Sequence, residues 1–126
     1  MKITTFWCII IAILFASCST DSHTLNSLSM EEFSRILEDD AEIQIVDVRT
    51  ESEYAKGHLP NAVNINIRDT AFNSKAMEYL QKDRAVAVYC RSGNRSKVAG
   101  AILVDMGYEV YELNSGVVGW TGKVEY

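Results

Sequence analysis

The apolar positions along this chain switch between two periods. Ile43-Gln44-Ile45-Val46-Asp47-Val48, Ala62 to Ile65, Ala85-Val86-Ala87-Val88-Tyr89 and Glu109 to Leu113 are short β-branched or alternating runs, which predict strands. The run before Cys90 is apolar throughout and reads as a strand buried on both faces. The run at Ile43 predicts the central strand. Between these runs the repeat lengthens: Phe72, Ala76, Tyr79 and Leu80 recur at helical spacing within Thr70 to Leu80. Val98, Ala99, Ile102 and Leu103 do the same from Ser96 toward the breaker Gly107, so Ser96 is read as the N-cap of a helix of about three turns.

Two further helix starts carry their own signals. Ser29 and Glu32 form a capping box, with Leu28 and Phe33 placed as a hydrophobic staple. Thr50 and Glu53 form a second box, opening a short helix that Gly57 ends. Asp47 and Arg49 are assigned to structure, Asp47 binding loop N–H groups and Arg49 pairing with Glu51 and Glu53. Strands alternating with helices predict an α/β fold, a small parallel sheet with helices on both faces.

The N-terminus follows different rules. Met1-Lys2 is positive, Phe6 to Phe15 is uncharged and apolar, and Ala16-Ser17 are small. The apolar run is shorter than the ~20 residues that span a bilayer, so residues 1–17 read as a secretory signal peptide. Phe15-Ala16-Ser17-Cys18 resembles the bacterial lipoprotein box, which implies a lipid on Cys18 and a membrane partner at the cell envelope. An ordinary signal cut near Ala16 or Ser17 is the alternative. Residues 18–27 are polar and small and are expected to be a tether. The domain is expected to fill 28–126.

Charge and cysteine count narrow the chemistry. The formal net charge is −5, without a run of one sign, which argues against a nucleic-acid partner. His23 and His58 are the only histidines and are read as structural, with no metal and no organic cofactor expected. Of three cysteines, Cys8 would leave with the signal and Cys18 would carry lipid. Cys90 is then the free thiol of the mature chain, with no disulfide available to it. The chain is expected to be a monomer.

Cys90 stands where a strand ends and a helix begins, at the sheet edge where α/β proteins bind ligands. The stretch Cys90-Arg91-Ser92-Gly93-Asn94-Arg95-Ser96 offers a sulfur atom two kinds of stabilisation. Backbone N–H groups from Arg91 through Ser96 can curl round a thiolate, Gly93 supplying a backbone angle that a Cβ resists. Arg91 and Arg95 add guanidinium groups that favour a thiolate and an anionic substrate. A lone Cys after a buried strand is more often a small core hydrophobe, but inert packing has no use for two flanking cations.

The chain resembles the rhodanese domain, a sulfurtransferase family whose nucleophilic cysteine opens a loop of this kind. Asp47-Val48-Arg49, Glu53-Tyr54 and Gly57-His58-Leu59-Pro60, with Ala62 and Asn64-Ile65, follow the family's first block. Gly107-Tyr108, Val110, Leu113, Gly116 and Gly119-Trp120 follow its closing block. Leu59 and Asn61 depart from the commoner isoleucine and glycine, and Asn tolerates a left-handed backbone well.

The resemblance implies Cys90 as nucleophile and a substrate cradle of Arg91, Ser92, Gly93, Asn94, Arg95 and Ser96. The partners it implies are a small sulfur donor such as thiosulfate and a thiol or cyanide acceptor. Four residues separate Cys90 from Arg95, the short form of the loop. Related phosphatases and arsenate reductases carry one residue more, which leaves them as one alternative. A non-catalytic persulfide carrier or partner-binding module is the other.

Overall fold

Every strand pair in the sheet is parallel, and the order of the strands decides where a ligand can sit. The structure, a computed structural model, describes residues 23–126. In chain order the elements are β1 (Leu25–Leu28), α1 (Met30–Asp39), β2 (Gln44–Asp47), α2 (Glu51–Ala55), β3 (Val63–Asn64), α3 (Phe72–Tyr79), β4 (Val86–Tyr89), α4 (Asn94–Asp105) and β5 (Val110–Leu113), then a 3-10 turn over Val117–Gly119. The five strands lie in the order β1-β5-β4-β2-β3.

The middle position belongs to β4, with β2 beside it, so the strand expected at the centre is displaced by one place. The reason is connectivity. From β2 the chain winds outward to β3, and from β4 it winds the other way to β5. The β4–β2 boundary is therefore the switch point, and its carboxyl edge is the natural ligand crevice. Cys90 follows the last residue of β4 at that edge.

Side chains alternate in direction with the pleat and build two cores. Val86, Val88 and Cys90 point to one face with Val110, where Phe72 and Ala76 of α3 and Ala99 and Leu103 of α4 cover them. Ala87 and Tyr89 point to the other, against Phe33 of α1 together with Leu59, Ala62 and Leu113. Gly100 of α4 is a close-packing point, because a Cβ there would lie 2.6 Å from Leu25 of β1.

The expected signal peptide and Cys18 lie outside the described residues. The stretch read as a tether ends earlier than expected, because Leu25–Leu28 pairs in register with Val110–Leu113 as an edge strand. The polar Asn26 and Ser27 hid that strand, and both have partners: Asn26 donates to the Val110 carbonyl at 3.3 Å and Ser27 to Glu112 at 2.6 Å. Among the described residues no helix is long and apolar enough to cross a membrane.

Local signals hold in detail at α1. Ser29 Oγ accepts from the Glu32 amide and Glu32 Oε1 accepts from the Ser29 amide, the complete capping box. Asn61 takes the left-handed conformation, φ 65°.

Candidate active site

Three backbone facts shape the loop after β4. Gly93 has φ 100° and is the N-cap of α4, so the helix opens at Asn94. Ser96 is thus the third residue of the helix and not its cap; a positive φ at Gly93 turns the chain into helix earlier than the hydroxyl suggested. The loop is also strapped from behind. Val117 N donates to the Cys90 carbonyl at 2.9 Å, and Val118 N to that of Arg91 at 3.1 Å. Gly116 makes that strap possible, since a Cβ on it would fall 2.3 Å from the Arg91 carbonyl oxygen.

Inside this turn sits the Cys90 sulfur. The Gly93 amide donates to Sγ at 3.1 Å, and the Ser96 hydroxyl lies 3.5 Å from it. Burial pushes the thiol up, but the Ser96 hydroxyl and the amides of Ser96, Gly93 and Ser92 outweigh it. The thiol is held below its ordinary value. The residue is 1% exposed. It is a sulfur at the floor of an amide cradle.

The two arginines separate. Arg91 is exposed and makes no ion pair among the described residues. Arg95 forms a bidentate pair with Glu53, Nη1 to Oε1 at 2.7 Å and Nη2 to Oε2 at 2.9 Å. Hydrogen bonding to Arg95 leads in drawing the Glu53 carboxyl down to about 2. Arg95 still lies close enough to feel the charge of Cys90. Ser92 and Asn94 are exposed on the loop.

That pairing changes the second capping box. Thr50 Oγ1 accepts from the Glu53 amide at 3.3 Å as expected. The Glu53 carboxylate, however, turns to Arg95 and the Thr50 hydroxyl instead of the Thr50 amide, because a charged bidentate partner outcompetes a neutral N–H. Arg49, expected to pair with Glu51 and Glu53, binds Asp47 instead, at 2.7 Å, and donates to the Gly57 carbonyl. Asp47 also accepts from the Arg49 amide and from Tyr89. Both residues are buried and paired with each other. His58 stacks on Tyr54 with centroids 3.7 Å apart and bridges to Glu125. Trp120 packs edge-on against Phe33.

One residue of the site escaped the sequence reading. Glu112 of β5 is fully buried and accepts from Ser96 Oγ at 2.7 Å. Its signal was its phase: it shares a strand face with buried Val110, and a charge on that face of a covered sheet requires partners.

Residues 29–123 match the rhodanese-like domain family. The chain belongs to that family. A relative in Allochromatium vinosum, named a sulfurtransferase, is 36% identical over 97 residues, 76% of this chain and 88% of the relative. A Bacillus subtilis protein named as a candidate sulfur carrier is 30% identical over 108 residues; these make up 85% of this chain and 57% of that protein. The crystal structure of a rhodanese-like domain protein from Staphylococcus aureus superposes with a TM-score of 0.69 at 27% identity. It covers 79% of this chain and 96% of that one. Cys90 and its amide cradle lie within the matched residues of this rhodanese-like domain.

Proposed function

We propose that the domain is a sulfurtransferase that moves a sulfane sulfur from thiosulfate or a similar donor to a thiophilic acceptor through a persulfide on Cys90. The observation that carries this reading is the cradle: one sulfur, held below its ordinary pKa by the Ser96 hydroxyl and main-chain amides. In the first stage the Cys90 thiolate attacks the outer sulfur of the donor. A new S–S bond forms, the old one breaks, and sulfite leaves with the bonding pair. In the second stage cyanide or a thiol attacks the terminal sulfur and the Cys90 thiolate departs. The covalent intermediate predicts ping-pong kinetics.

Arg91, exposed and free of an ion pair among the described residues, would meet the sulfonate end of the donor. Arg95 acts from its pair with Glu53, its charge favouring the thiolate and the departing sulfite. Ser92, Gly93, Asn94 and Ser96 complete the loop that holds the persulfide. The protein is proposed to work as a monomer, lipid-anchored through Cys18 at the bacterial cell envelope and without a metal or organic cofactor.

A second reading is a persulfide carrier that loads once and discharges only to a protein, which the sulfur-carrier name of one relative favours. Mass spectrometry after incubation with thiosulfate, followed by cyanide, separates the two. One added sulfur on Cys90 that cyanide removes, with repeated turnover, supports the transferase. Loading without turnover supports the carrier, and no added sulfur refutes both.

A further inference from the structure

The start of α4 runs against the helix dipole. Its first turn carries no acidic residue, yet Arg95 and Lys97 stand among its first four positions, where the positive end of a helix favours anions. Each cation is answered by a carboxylate from another element. Arg95 meets Glu53 of α2, and Lys97 meets Glu112 of β5, which has no exposed surface. The transfer steps use Arg95 and leave Lys97 without a part.

An ammonium has three N–H donors, and three acceptors stand round this one. Lys97 Nζ donates to the Gly93 carbonyl at 3.3 Å and to Asn114 Oδ1 at 3.1 Å, and it pairs with Glu112 Oε1 at 3.1 Å. These partners belong to the Cys90 loop, to the turn after β5 and to β5 itself. Glu112 is held in its turn by Ser27 of β1 at 2.6 Å and by Ser96 at 2.7 Å. The ammonium is thus moored to buried structure, although the side chain is 47% exposed.

What it moors is the residue that holds the sulfur. The Gly93 amide donates to Cys90 Sγ at 3.1 Å, while the Gly93 φ of 100° lies in a region that glycine crosses at little cost. A residue so free has to be fixed by its neighbours. Its carbonyl accepts from the Lys97 amide at 3.3 Å, from the Ser96 hydroxyl at 3.1 Å and from the Lys97 ammonium. Ser96 has a single proton and a closer, charged acceptor in Glu112, which leaves Lys97 as the main hold on that carbonyl. On its other side Gly93 is pressed against Asn114, whose carbonyl oxygen would lie 2.2 Å from a Cβ on the glycine. Lys97 therefore clasps together the two segments that meet at Gly93.

We propose that Lys97 is a positioning residue that fixes Gly93, so that the Gly93 amide stays aimed at the Cys90 sulfur while the sulfur is an anion. This role rests on the reading of Cys90 as the nucleophile. The other charged groups about the loop are Arg95 of α4 with Glu53 of α2 behind it, Glu112 of β5 beyond Ser96, and Arg91 on the exposed side. None of them binds Gly93.

The test is the pH profile of Cys90 alkylation by iodoacetamide in Lys97→Met. A loosened amide stabilises the thiolate less, so the midpoint is expected to move to higher pH. The rate at neutral pH is expected to fall roughly threefold to tenfold, with the limiting rate at high pH unchanged. A merely structural loss would act in the opposite sense, because loosening the fold uncovers a sulfur that is 1% exposed and speeds alkylation at every pH. The shift is also expected to persist in roughly 1 M potassium chloride, where screening acts over about 3 Å. An unchanged profile, a faster rate at every pH, or a shift that salt abolishes overturns the proposal. Should Lys97→Met fail to fold by circular dichroism, trace acetylation of native protein by acetic anhydride decides. Lys97 is expected to react more slowly than Lys56, Lys82 and Lys123, which are exposed as it is. Molecules acetylated at Lys97 are expected to alkylate more slowly at Cys90, read by mass spectrometry on a peptide that carries both residues. Failure of either expectation overturns the proposal. Alkylation needs no sulfur donor, so these results are independent of whether thiosulfate loads Cys90.

Discussion

Arg95 of α4 and Glu53 of α2 face each other through two parallel hydrogen bonds of 2.7 and 2.9 Å. They join segments 42 residues apart and fix the outer wall of the loop that holds Cys90. Of the two arginines expected to serve an anionic substrate, Arg95 is thereby already engaged, and Arg91 is left exposed.

The Arg95–Glu53 pair makes stability depend on acid. Glu53 titrates at about 2 in the folded chain against 4.5 as its ordinary value, chiefly through its hydrogen bonds to Arg95. A depressed folded value means that the contribution is complete above pH 4.5 and is lost as pH falls toward 2. The pair is only partly shielded from solvent, so the loss is roughly 1–3 kcal/mol. Urea midpoints measured across that window are expected to fall less steeply in Glu53→Gln than in the native protein.

Cys90→Ser should abolish sulfur transfer without unfolding the domain. The hydroxyl fits the space of the thiol but cannot form a persulfide. A melting curve close to native, with no sulfur added on incubation with thiosulfate, is the expected pair of results. Retained transfer in this variant would remove Cys90 from the chemistry.

Gly93 and Gly107 offer a controlled comparison, because their φ angles are 100° and 99°. A Cβ on Gly107 meets nothing within 4 Å, whereas one on Gly93 falls 2.2 Å from the Asn114 carbonyl oxygen. Gly107→Ala is expected to cost only the backbone strain, about 1–2 kcal/mol. Gly93→Ala adds the clash and shifts the amide that donates to Cys90, so it should lose more stability and slow Cys90 alkylation. Denaturant midpoints and alkylation rates check both halves.

Arg49→Met tests the structural assignment of the first motif block. Asp47 is fully buried and would keep Tyr89 but lose its charged partner. Breaking a buried pair from one side costs about 3–5 kcal/mol. A large fall in denaturation midpoint is expected. In whatever fraction remains folded, Cys90 should alkylate at its native rate, because Arg49 does not touch the loop.

What local pattern controls was legible. The apolar run into β4, the Ser29–Glu32 box, the left-handed Asn61 and the positive φ of Gly93 all follow from residue type and spacing. What distant partners control was not. Glu53 leaves half of its capping box for Arg95, and Arg49 turns from nearby glutamates to Asp47. β1 hid because Asn26 and Ser27 look like tether until Val110 and Glu112 are beside them. Glu112 was hidden for the same reason: its meaning lies in Ser96 and Lys97, which reach it only once α4 packs on β5.

The parallel edge strand has a consequence for orientation. The chain enters β1 at Leu25, on the amino margin of the sheet, and Cys90 closes the opposite margin at the end of β4. From Cys18 to Leu25 the chain can stretch at most about 25 Å, so a lipid at Cys18 would moor the domain close to the bilayer by its far end. The sulfur would look outward, toward whatever diffuses past the membrane and away from the lipid itself.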